Sequence, residues 1–153
     1  MKKIQLTYGK QALVDDSTYG LLSQFGWTID KRNNCVISTA KDLPERRMSR
    51  MIMNAQQGEV VDHIDGNPLN NQFVNLRICT QKQNMYNRKI NKNSKSGYKG
   101  VTYNKGIEMY TAQIRYNGKL KYLGSYMNKK EAAEAYNNAA TKQFGEYARL
   151  NQL

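Results

Sequence analysis

The sequence predicts an α+β chain, with a strand–loop–strand–helix unit near its middle and then a three-stranded antiparallel sheet packed on one helix. Three observations carry this. Residues 60–88 run from the apolar VVDHI, through the turn-rich DGNPLNN, to NLRIC and a capped helical stretch. Residues 98–126 hold three strand-like segments, the last two joined by Asn117-Gly118, the strongest short hairpin signal in the chain. NKKEAAEAYNNAATKQFG then repeats alanine at helical spacing.

Taken in order, residues 1–55 mix short β-like runs, KKIQLTY and NCVIST, with a helix expected from Ser17 to Gln24. Trp27 and Phe25 are expected to pack a small core. VVDHI is a short strand in which Val60 and Val61 lead into Asp62 and His63. Asp65, Gly66, Asn67 and Pro68 all favour turns, and NLRIC is the returning strand. Thr80 is the expected N-cap of a helix from Gln81 to Arg88, with Gln83 at the capping-box position. That order puts Asn84 on the first helical turns, facing back toward Asp62. NRKINKNSKSG, residues 87–97, is polar and basic and reads as a linker.

YKGVTYN is the first strand of the later sheet, and YTAQIRYNGKLKYLGSY holds the next two. Asn128 is the expected N-cap of the last helix, and Glu131 stands three residues on. Ala132, Ala135, Tyr136, Ala139 and Ala140 form a narrow apolar stripe that would let this helix lie close on the sheet. Gly145 is its expected stop.

Charge indicates the partner. Twenty-four Lys and Arg stand against twelve Asp and Glu in 153 residues, a net charge of +12. No acid occurs between Asp65 and Glu108, while that span holds Arg77, Lys82, Arg88, Lys89, Lys92, Lys95, Lys99 and Lys105. Such a one-sided run is a track for a nucleic-acid backbone, and charge alone does not separate DNA from RNA. Lys31, Arg32, Arg46, Arg47 and Arg50 are further candidate phosphate contacts. The start, MKKIQLTYGKQ, is charged with no apolar run after it, so neither a signal peptide nor a membrane span is expected. Cys35 and Cys79 lack metal-ligand spacing and read as free thiols of a reducing compartment.

The chemistry concentrates at His63, the single histidine, directly after Asp62. A histidine beside a carboxylate can take a proton from water near neutral pH. A carboxylate and an amide oxygen held together suit a hard divalent cation such as Mg²⁺. Asp62-His63 is followed after twelve residues by Asn75 and after nine more by Asn84.

The string DHIDGNPLNN, then NLR, then QKQN resembles the HNH nucleases, whose unit is a ββα-metal fold. Within that family it is most similar to the phage and intron-encoded homing endonucleases. The resemblance implies that His63 is the general base and that Asp62 and Asn84 hold one Mg²⁺ or Mn²⁺. It also implies that Asn75 braces the loop and orients His63. Asn87, three residues beyond Asn84, competes as the ligand. Such proteins carry His-Arg-Leu-Ile where this chain has Ser49-Arg50-Met51-Ile52, which leaves open a DNA-binding regulator with a decayed nuclease unit.

SGYKGVTYN, YTAQIRYNGKLKYLGSY and KEAAEAYNNAATKQFGEYARLN together resemble the Apetala-type DNA-binding domain of ethylene-response factors. Strand alternation puts Thr102 with Asn104, and Gln113 with Arg115. The resemblance adds Tyr122 and Lys99 as DNA contacts, and Arg88 and Lys89 belong to the basic track. The expected organisation is therefore a leader over 1–55, the nuclease unit over 56–90, a linker over 91–97 and the DNA-binding domain over 98–153. The resemblance further implies a phage- or mobile-element-encoded protein acting on double-stranded DNA in the host cytoplasm, as a monomer or weak dimer. One hydrolytic site would nick, and a dimer could cut both strands.

Overall fold

The computed structural model describes residues 1–91 and 93–153; Lys92 of the basic run lies outside the described residues. The chain divides into two compact units, Met1–Asn84 and Met85–Leu153.

The first unit is built on three two-stranded antiparallel sheets. β1 (Lys2–Gln5) pairs with β2 (Gln11–Val14), β3 (Trp27–Asp30) with β4 (Cys35–Ser38), and β5 (Val60–His63) with β6 (Leu76–Cys79). Helices α1 (Asp16–Leu22) and α2 (Met48–Met53) lie between them in sequence. Ile4, Leu6, Ala12, Val14, Leu22, Trp27, Val36 and Met48 form its buried core. Trp27, 2% exposed, anchors that core and donates its indole N–H to the Leu22 carbonyl at 2.7 Å. Phe25 packs edge-on against it, with ring centroids 6.2 Å apart. A buried indole needs such a partner for its N–H.

The leader and the histidine segment thus share one unit. Leu69, from the asparagine-rich loop, packs against the leader's core. Leu13 of β2 grips the same loop from both sides: its N–H donates to the Leu69 carbonyl at 2.7 Å, and its carbonyl accepts from Asn71 N–H at 2.8 Å. Asp15 adds a 2.6 Å bond from Phe73 N–H to its Oδ2.

Two arginines read as phosphate contacts are instead structural. Arg46 directs Nε and Nη2 at the Ser38 carbonyl, at 3.2 and 2.8 Å. Arg50 pairs with Glu45 and donates to the carbonyls of Glu59, Ala55 and Gln56. Its five-donor fork suits a cluster of carbonyls at a helix end.

Helix α3 (Gln81–Tyr86) begins as expected, with a reciprocal capping box. Gln83 N–H donates to Thr80 Oγ1 at 3.2 Å, and Gln83 Oε1 accepts from Thr80 N–H at 2.8 Å. It stops two residues short of Arg88. The Lys99 ammonium takes the Tyr86 carbonyl at 2.6 Å, satisfying a helix end. Asn87 therefore lies beyond the helix, and its placement on the Asn84 face is corrected.

The second unit holds the sheet β7 (Val101–Asn104), β8 (Met109–Tyr116) and β9 (Lys119–Tyr126), in that order and antiparallel, with helix α4 (Lys129–Phe144). Asn117 and Gly118 both take positive φ, 49° and 76°, as the two-residue turn requires. Asn128 Oδ1 accepts Lys130 N–H at 2.9 Å and caps α4. Ala132, Ala133, Tyr136, Ala140 and Phe144 are its buried face. Ala133 and Phe144 join that face, and Ala135 and Ala139, partly buried, pack against the same clusters. At Gly100 a Cβ would stand 2.1 Å from the Tyr136 ring, so only glycine lets the chain pass this close to α4.

Among the described residues no helix is long and apolar enough to cross a membrane. Cys35 and Cys79 are both free.

Candidate functional site

The β5–β6 hairpin sets the site. Its register pairs Asp62 with Arg77 and His63 with Leu76. The turn-rich loop between the strands is held by a hub at Asp65. Its Oδ1 accepts Asn67 N–H at 2.7 Å and Asn75 Nδ2 at 3.0 Å, and its Oδ2 accepts Asn70 Nδ2 at 2.9 Å. Burial pushes the Asp65 carboxyl upward, but these bonds outweigh it and hold it below the usual range. Buried Asn75 closes the loop: its Oδ1 accepts Asp65 N–H at 3.0 Å, its Nδ2 donates to the Asn70 carbonyl at 2.8 Å, and its carbonyl accepts Ile64 N–H at 2.9 Å.

His63 Nε2 lies 3.1 Å from Asn71 Oδ1. Asn71 is 1% exposed, and its Nδ2 donates to the Pro68 carbonyl at 2.9 Å, so its oxygen is the end that faces the ring. Nε2 is therefore the protonated nitrogen of neutral His63, and the basic lone pair falls to Nδ1. Burial lowers the His63 pKa below its ordinary value, against the opposing pull of Asn71, Asp65 and Asp62. The imidazole is thus mainly neutral at pH 7, the form that can accept a proton. Nothing in the sequence singles out Asn71, one amide among several in the loop; the Leu13 carbonyl on its backbone N–H and the Pro68 carbonyl on its side chain hold it beside His63.

Asp62 is buried, 6% exposed, and its Oδ2 accepts both Nε and Nη2 of Arg77, at 3.0 and 2.7 Å. Arg77 appears in the sequence only as part of the basic run, so this pairing is a finding of the structure. Asn84 is half-buried on α3, its N–H donating to the Thr80 carbonyl at 3.0 Å. Among the described residues no group of three or more His, Cys, Asp and Glu converges to hold a metal. Asp62 and Asn84 offer a carboxylate and an amide oxygen, which by donor chemistry fit Mg²⁺ or Mn²⁺ with water and phosphate completing the shell.

In the second unit, Ala112 and Ile114 of β8 are buried in the two clusters shared with α4. The opposite face of the sheet brings together four of the expected contacts. Thr102 stands across from Thr111, Gln113 from Tyr122, and Arg115 from Leu120. Thr102, Arg115 and Tyr122 are exposed, Tyr122 to 62%. Arg115 Nη1 is tethered to the Gly118 carbonyl at 3.1 Å. Asn104 is exposed but binds Gly106 N–H through its Oδ1 at 2.9 Å, shaping the β7–β8 turn. Arg88 and Lys89 are exposed.

Lys99 has a structural partner as well. Its half-buried ammonium donates to the Tyr86 carbonyl, and burial, with Arg149 and Arg88 nearby, brings its pKa down to about 8.

Comparison with known proteins places the histidine segment in a known family. The family model described as HNH endonuclease matches residues 56–86, which include Asp62, His63, Asn75 and Asn84. An uncharacterized HNH endonuclease, L560, of Acanthamoeba polyphaga mimivirus is 30% identical over 151 residues, covering 95% of this chain and 76% of the relative. Protein 3.8 of Escherichia phage T7 is 43% identical over 63 residues, 41% of this chain and 52% of that protein. No solved structure matches the chain.

Proposed function

Because this chain belongs to the HNH endonuclease family, we propose that it is a homing-type nuclease that hydrolyses phosphodiesters of double-stranded DNA with His63 as general base. The observation that carries this is the neutral His63 ring held through Nε2 by buried Asn71. Nδ1 of His63 takes a proton from water, the resulting hydroxide attacks phosphorus, and the P–O3′ bond breaks; the leaving 3′ oxygen takes a proton from solvent water, and His63 returns its proton to solvent. The products are a 5′-phosphate and a 3′-hydroxyl. Asn75 holds the loop to the end of β5 through the N–H groups of Ile64 and Asp65, which braces the backbone next to His63. A divalent cation, Mg²⁺ or Mn²⁺, held by Asp62 and Asn84 would supply Lewis-acid stabilisation of the leaving 3′ oxygen.

The open sheet face of Thr102, Gln113, Arg115 and Tyr122 is the proposed DNA-reading surface of an Apetala-type module. Arg115 can read guanine and Gln113 adenine, while Arg88 and Lys89 hold phosphates. A single such hydrolytic site supports nicking. End-labelling of cleaved DNA tests the chemistry. The reading expects 5′-phosphate and 3′-hydroxyl ends, full suppression by EDTA, and loss of cleavage in Asp62→Asn and Asn84→Ala. Metal-independent cleavage, or 3′-phosphate ends, would exclude it.

A further inference from the structure

Resting on the assignment of Asp62 as a metal ligand, we propose that Arg77 makes divalent-cation binding at Asp62 conditional on bound DNA. The β5–β6 register sets the two residues opposite each other, so the pairing is built into the hairpin. Two nitrogens of Arg77 converge on one carboxylate oxygen, and the side chains are only 12% and 6% exposed. Solvent screens such a pair weakly. A cation approaching Asp62 therefore meets a carboxylate whose charge is already offset, and the amide of Asn84, assigned with it, would add no charge. The free protein then holds a divalent ion weakly.

A DNA phosphate beside the pair changes the balance. It brings negative charge that offsets the guanidinium and an oxygen that can join the ion's shell. Metal and DNA then tighten each other by the same factor, as linkage requires. Arg77 in this role is a positioning and gating residue: it holds Asp62 in place and keeps the ion from settling before the substrate arrives. It does so by charge, with no step in the hydrolysis itself.

The test measures Mn²⁺ binding to the full chain by electron paramagnetic resonance. A His63→Ala background keeps the DNA intact, and a DNA-alone titration is subtracted. In that background, duplex DNA is expected to tighten Mn²⁺ by at least about tenfold. Arg77→Gln is expected to bind Mn²⁺ about tenfold more tightly without DNA and to lose most of the coupling. Arg77→Met repeats the charge removal with an apolar side chain should the glutamine variant fail to fold. Arg77→Lys keeps the charge and should follow the parent. An Arg77→Gln protein with unchanged affinity and coupling would overturn the inference, as would a lysine variant that tightens Mn²⁺ equally. Asp62→Asn separates the two layers. If it abolishes Mn²⁺ binding while Arg77→Gln changes nothing, the metal site stands and the gate falls. If it binds Mn²⁺ as the parent does, the metal assignment fails and the gate with it.

Discussion

His63 and Asn71 form the central pair of this protein: Nε2 of the one meets Oδ1 of the other at 3.1 Å, while Leu13 of the leader holds the backbone N–H of Asn71. The leader is thus coupled to His63 through two hydrogen bonds.

Asn71→Ala should lower single-turnover cleavage by about a hundredfold with little change in KM, because the ring loses its aim and not the substrate its grip. Leaving the buried Nε2–H unmatched should also cost about 1–3 kcal/mol of stability. Rapid-quench kinetics and urea unfolding measure the two effects separately.

The pH dependence follows from the lowered His63 pKa. The base works neutral, so cleavage should rise along an acid limb centred below the ordinary value of 6.5. Asn71 raises that pKa, so its removal should move the limb further toward acid. Stability changes with pH in the same direction. The folded chain binds fewer protons than the unfolded chain near this pH. The His63 contribution is therefore complete above 6.5 and is lost as pH falls through the folded value. A pH–rate profile paired with thermal melts checks both.

Arg50→Ala should destabilise the first unit by about 2–3 kcal/mol, through loss of charged hydrogen bonds to Glu45 and three carbonyls. It should leave the salt dependence of DNA binding unchanged in the variant that remains folded. A reduced salt slope would mean that Arg50 also contacts phosphate.

The sequence was legible where the signal is local. Thr80 and Gln83 cap a helix from three residues apart, and Asn117-Gly118 makes its turn within the dipeptide. Strand alternation put Gln113 and Arg115 on one face, and the structure turns that face away from α4. It failed where a cationic side chain turns back onto backbone carbonyls. Ser38 lies only eight residues from Arg46 and Glu59 nine from Arg50, but no pattern of residue types marks a carbonyl as an arginine's partner. The Tyr86 carbonyl takes Lys99 in the same unmarked way. Asn71 could not be told from its neighbouring asparagines without Leu13, fifty-eight residues upstream.

On the open sheet face, Arg115→Ala should weaken binding to a preferred duplex by about 1–3 kcal/mol and relax base preference, with cleavage chemistry intact once DNA is saturating. Lys89→Ala should weaken all duplexes alike and lower the salt slope by about one. Fluorescence anisotropy across a salt series distinguishes them. Equal behaviour of the two variants would remove the sheet from sequence reading.

The most direct measurement is strand cleavage of supercoiled plasmid and phage DNA by the purified chain in Mg²⁺ or Mn²⁺, beside its His63→Ala variant and an EDTA control. The account predicts nicked circles from the parent, none with EDTA, and none from His63→Ala, whose DNA affinity stays unchanged. Undiminished nicking by His63→Ala would contradict it.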